Sequence, residues 1–162
     1  MRIEPAILSD PAVQAMIAFH QQDMEEMSPP GTSFALDLSG LSGPEVTVLG
    51  AWLGEELAAI GAIKRLGPDH AELKSMRTRP EHLGKGLAKA VLEELIALAR
   101  SEGIAQLSLE TGTTAEFEPA IRLYSKYGFA RGESFASYVN GPDNQCYHLD
   151  LSAECPISSP AA

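Results

Sequence analysis

Basic residues are scarce in this chain. Its 162 residues hold 12 Lys and Arg against 22 Asp and Glu, a formal net charge of −10 at neutral pH. Arg2 is the only basic residue before Lys64. Proteins that bind nucleic acid non-specifically carry a basic footprint, so this balance argues against nucleic acid as a partner. Cysteine is equally sparse. Cys146 and Cys155 stand near the end, and a chain of this length buries enough surface to fold without disulfide staples, so two free thiols are expected. No apolar run approaches the ~20 residues that a bilayer-spanning helix needs, which argues against a membrane partner. The opening MRIEPAILSD lacks the apolar centre of a secretory signal. The expectation is a cytoplasmic protein. No repeat and no low-complexity segment interrupts the chain. Residues 1–151 read as a single domain, and 152–162, SAECPISSPAA, as a flexible tail.

The residues that are present alternate between helical and extended patterns. Ser9 and Asp10 can cap a helix that admits Pro11 at its start. Val13 and Ile17 begin its apolar stripe, and Pro29-Pro30-Gly31 stops it by Ser28. A short helix or turn is expected near Leu36–Leu41. EVTVLGAWL (45–53) and ELAAIGAIK (56–64) read as a hairpin about Gly54-Glu55. AELKSMRT (71–78) is a third strand. From Gly84 and Gly86 a helix runs to Gly103, its face formed by Leu87, Val91, Leu95 and Leu98. A strand at IAQLSLET (104–111) follows, then a helix over Glu116–Tyr127. Two last strands are expected near Glu133–Val139 and Cys146–Leu151. The order is mixed α and β, with one crossover unit in the second half.

The junction from Lys74 to Lys89, KSMRTRPEHLGKGLAK, carries five basic residues and one acidic residue in an otherwise acidic chain. A strand enters a glycine turn that opens a helix. Glycine lets the backbone approach a ligand closely, and the first free N–H groups of a helix attract anions. Gly86 is followed by Leu87, so this is not a Walker loop. Lys89 replaces the third glycine of the dinucleotide fingerprint. The cations point to a phosphate or pyrophosphate ligand, and the acidic remainder could draw in a cationic partner.

Two motifs in this order resemble the GNAT acetyltransferase superfamily. Glu81-His82-Leu83-Gly84-Lys85-Gly86 approximates its phosphate loop, Gln/Arg-x-x-Gly-x-Gly/Ala, with Glu81 at the Gln/Arg position and Leu83 where Arg is frequent. Leu123-Tyr124-Ser125-Lys126-Tyr127-Gly128-Phe129 matches its Leu-Tyr-x-x-x-Gly-Phe signature in full, although Phe117 stands where Asn is common. The segments Lys74–Thr78 and Leu109–Thr113 look like a small bacterial branch of the superfamily. The implied fold is α/β: a mostly antiparallel mixed sheet of about six or seven strands, flanked by about four helices, with splayed central strands.

The resemblance further implies that acetyl-CoA is the co-substrate. Its pyrophosphate would lie on the N–H groups of Leu83, Gly84, Lys85, Gly86, Leu87 and Ala88. Its pantetheine arm would lie beside Met76, Arg77 and Thr78, with Phe117 and Tyr124 also against it. No metal is expected. The implied reaction is direct attack on the thioester by a primary amine of a small molecule or, less favoured, of a protein. Tyr124 would be the acid for the departing thiolate. Glu72 or Glu110 would take the amine proton or anchor its ammonium group, although Glu72 and Lys74 share a strand face and could neutralise each other. His20 and Ser28 could reach the acceptor. The alternative is a non-catalytic acyl-CoA sensor on the same fold. A homodimer is a further expectation that follows from the resemblance alone.

Overall fold

A computed structural model describes residues 1–28 and 38–152. Seven strands form one sheet in the order β1-β2-β3-β4-β5-β7-β6. They are β1 (Arg2–Pro5), β2 (Val46–Leu53), β3 (Glu56–Arg65), β4 (His70–Thr78), β5 (Gln106–Gly112), β6 (Ala130–Arg131) and β7 (Asn144–Asp150). All neighbouring pairs are antiparallel except β4 and β5. The helices are α1 (Pro11–Met27), the single-turn α2 (Leu38–Leu41), α3 (Leu87–Ser101) and α4 (Glu118–Lys126).

The capping residues act as the sequence implies. The Asp10 side chain accepts from the Ala12 N–H at 2.9 Å, with Pro11 in the first helical turn. Val13, Met16 and Ile17 of α1 pack on Val48, Leu57, Ile60 and Ala62 of the sheet. The stripe of α3, Leu87, Val91, Leu92, Leu95 and Ile96, packs on the opposite face with Ala59, Ile63 and Leu107. The sheet is therefore covered by helices on both sides. Its buried strands read as nearly continuous apolar runs for that reason.

Two expectations are corrected, and one strand is added. Residues 133–139 form no strand, and the short pairing with β7 comes instead from Ala130–Arg131. Phe135 and Tyr138 are buried with Cys146 in a small cluster of their own, and Ala136 takes a left-handed φ of 52°. The aromatic spacing thus reflects burial in an irregular loop. The helix expected from Glu116 begins at Glu118, after a 3-10 turn over Ala115–Phe117. At the other end of the chain, β1 pairs with β2 at the sheet edge, a strand too short to show a period. The expected element near Leu36–Leu41 coincides in part with α2, and residues 29–37 lie outside the described residues. Cys146 is buried and unpaired, whereas Cys155 and the tail from 153 lie outside the described residues.

Candidate active site

Strands β4 and β5 pair only from His70–Glu72 to Gln106–Ser108. Beyond that point they part, although β4 continues to Thr78 and β5 to Gly112. The gap opens a cleft of about 150 Å³. Strand β4 supplies Lys74, Ser75, Met76 and Arg77, β5 supplies Glu110 and Thr111, α1 supplies His20 and Met24, and Phe117 and Tyr124 close the far side.

A bulge shapes the β4 wall. The register passes from Ile60↔Arg77 to Ala62↔Lys74, so Ser75 and Met76 together oppose Gly61. A Cβ on Gly61 would lie 2.5 Å from Met76 Sδ and 2.7 Å from Val91 Cγ1, so only glycine fits there. Ser75 adopts a left-handed φ of 56°, which costs a non-glycine residue about 1–2 kcal/mol. Its side chain is buried, and its Oγ has no hydrogen-bond partner among the described residues.

Arg77 is fixed by two bonds to α1. Its Nε donates to His20 Nδ1 at 2.9 Å, and its Nη1 meets Asp23 Oδ2 at 2.6 Å. Accepting at Nδ1 leaves the His20 proton on Nε2. Burial, reinforced by Arg77 and Lys74, lowers the His20 pKa to about 3, so the ring is neutral. Tyr124 is buried in the cleft with its ring 5.8 Å from that of Phe129. Burial raises its phenol above the ordinary tyrosine range, and Arg77 pulls in the opposite direction. Phe117 is buried against the end of β5, where a Cβ on Gly112 would fall 2.3 Å from the Phe117 ring.

The two candidate carboxylates have different surroundings. Glu110 is half-buried in the cleft wall. Burial raises its pKa, partly offset by the Asn144 side chain and Lys74. Glu72 is buried and lies outside the cleft lining. It receives Lys74 Nζ at 3.0 Å and the Tyr138 hydroxyl, while Lys74 also donates to Tyr138 at 2.6 Å. Ser28 ends α1 and does not line the cleft.

Past the cleft, β4 leads through a 3-10 turn over Pro80–His82 to the glycine loop. Leu83, Gly84, Lys85 and Gly86 are exposed. Both glycines have φ of 79°, with open space where a Cβ would sit. Gly86 caps α3 and offers no side chain to the free N–H groups of its first turn. The side chain of Leu87 is buried in the core, so only its backbone is available to a ligand. Lys85 Nζ donates to His82 Nδ1 at 2.8 Å, and the other His82 nitrogen meets Glu56. An uncapped helix start, two left-handed glycines and a nearby ammonium group fit the pyrophosphate of a nucleotide-bearing thioester.

The structure therefore brings His20, Met76, Arg77, Glu110, Phe117 and Tyr124 to one cleft and keeps Glu72 and Ser28 out of its lining. Ser75 and Lys74 also line the cleft, although no motif in the sequence marks them. An isolated glycine inside a strand pattern signals a bulge, and Gly61 was that signal.

The profile of the acetyltransferase (GNAT) family matches residues 13–129, and the chain belongs to that family. It is 46% identical over 144 residues to the uncharacterised N-acetyltransferase YedL of Escherichia coli (strain K12), covering 89% of this chain and 91% of that one. Identity is also 46% to the uncharacterised N-acetyltransferase YsnE of Bacillus subtilis (strain 168), over 89% and 95% of the two chains. Among solved structures, a candidate acyl-CoA N-acyltransferase from Klebsiella pneumoniae superposes with a TM-score of 0.76 at 28% identity, covering 93% of this chain and 97% of that one. The protein is a GNAT-type acyltransferase.

Proposed function

We propose that this enzyme transfers an acetyl group from acetyl-CoA to a primary amine of a small molecule by direct attack on the thioester. The observation that carries this reading is the single course of β4. It forms one wall of the cleft that holds Tyr124 and Glu110 and leads through the Pro80–His82 turn to the glycine loop. An aminoglycoside 6'-N-acetyltransferase in complex with coenzyme A has the same fold, with a TM-score of 0.71 at 14% identity.

When bound, acetyl-CoA supplies the activated acyl carbon and a thiolate leaving group. The backbone N–H groups of Gly84 to Ala88 would hold its pyrophosphate, whereas that of Leu83, expected among them, is donated to the Pro80 carbonyl. Past Glu72, β4 has no β5 partner, so its parted edge can receive the amide-rich arm as an added strand. Met76, Arg77 and Phe117 line the cleft beside that edge, and Thr78 ends the strand outside the lining. Glu110 is the cleft carboxylate suited to take the proton of the incoming ammonium group, because burial makes it more basic than an ordinary carboxylate. Tyr124 then gives its proton to the departing sulfur. Burial opposes phenolate formation there, and Arg77 favours it. His20, with its free Nε2–H, is placed to contact the acceptor. The closed Glu72–Lys74–Tyr138 triad orients the wall beside it.

The test is thiol release from acetyl-CoA across a panel of small amines. Tyr124→Phe is expected to lower kcat by about 10²-fold or more, with coenzyme A affinity preserved. Normal turnover by that variant would remove Tyr124 as the acid.

A further inference from the structure

We propose that the Ser75 hydroxyl is a substrate contact, donating a hydrogen bond to the carbonyl oxygen of the thioester acyl group. This rests on the acetyl-CoA reading above and assigns a residue that the family motifs do not mark.

Three independent features meet at Ser75. It lines the cleft where β4 leaves β5. It is the one residue among those described with a buried side-chain N or O atom that has no hydrogen-bond partner. It is also one of two non-glycine residues among those described with positive φ. A buried polar group without a partner is costly, and strained backbone gathers where ligands bind. Glycine would relieve the strain and remove the orphaned hydroxyl at once, so packing alone gives no reason for serine.

The neighbouring cationic side chains are committed. Lys74 is bound to Glu72 and Tyr138, and Arg77 to His20 and Asp23. Ser75 offers a neutral O–H beside the parted edge of β4. The carbonyl oxygen of a thioester gains negative charge as a nucleophile attacks, and a fixed donor at that oxygen stabilises the change. A hydroxyl serves this purpose without the charge that would repel an ammonium acceptor.

The test compares binding of acetyl-CoA and of coenzyme A by calorimetry in the wild type, Ser75→Ala and Ser75→Gly. Coenzyme A has the same pyrophosphate and arm but no acyl carbonyl. Both variants are expected to lose about three- to tenfold in acetyl-CoA affinity, the worth of one hydrogen bond, and to keep their coenzyme A affinity. Ser75→Gly should keep or raise Tm, because glycine accepts a left-handed φ without strain. Unchanged affinity for both ligands would overturn the proposal, as would equal losses for both, which would mark Ser75 as scaffold. If the wild type binds neither ligand, the acetyl-CoA reading itself fails and the proposal falls with it.

Discussion

His20 is buried beside the charges of Arg77 and Lys74, and the consequence is a pH-dependent stability. Its pKa in the folded state, about 3, lies below the ordinary 6.5, so the unfolded chain binds the extra proton first. Its contribution is full above pH 6.5 and is lost as pH falls from 6.5 toward 3. Asparagine can accept the Arg77 bond through its side-chain oxygen and does not titrate. The Tm of His20→Asn should therefore fall less steeply over that range, which thermal melts at several pH values will show. Parallel curves for the two proteins would contradict this assignment. Some acid sensitivity should persist in the variant, because burial and the nearby His148 also lower the pKa of His70. Glu110 shifts the other way, and burial delays its ionisation to higher pH. The acid limb of kcat/KM should accordingly lie above the ordinary carboxylate range. Glu110→Gln should abolish that limb and lower kcat/KM by about 10²–10⁴-fold. A rate profile that keeps the limb would assign the base to another group.

At the scale of elements, the bulge in β4 depends on Gly61. A methyl group there meets Met76, Val91 and Leu95 within 3.0 Å, so Gly61→Ala must push α3 away from the sheet or flatten the bulge. Overpacking of this kind costs about 1–3 kcal/mol. Denaturant unfolding should show that loss, together with weaker acetyl-CoA binding because Ser75 moves with the bulge. The elements differed in how legible they were. The stripe of α3 and the Asp10–Pro11 start of α1 were evident because local spacing and capping decide them. The segment 133–139 was misread because Phe135 and Tyr138 have a strand's composition yet are buried through a loop. Strand β1 stayed hidden because four residues at a sheet edge are fixed by pairing with β2 rather than by their own pattern.

For the whole molecule, the net charge of −10 conceals a division of labour. The basic residues between Lys74 and Lys89 run from β4 through the glycine loop into the first turn of α3, whereas the cleft wall also carries Glu110 and Glu116. The glycine turn at the start of α3 and the helix that carries Tyr124 were legible in the sequence because their motifs are local. The burial of Glu72 outside the cleft lining was not legible, since it involves Tyr138, which reaches Glu72 from 66 residues away. The most direct measurement of the central claim follows an isotope-labelled acetyl group from acetyl-CoA in a single turnover with an accepted amine. The account predicts label on the acceptor nitrogen, none bound to the protein, and a large slowing in Tyr124→Phe. Label attached to the protein during turnover, or coenzyme A binding with no transfer to any primary amine, would contradict it.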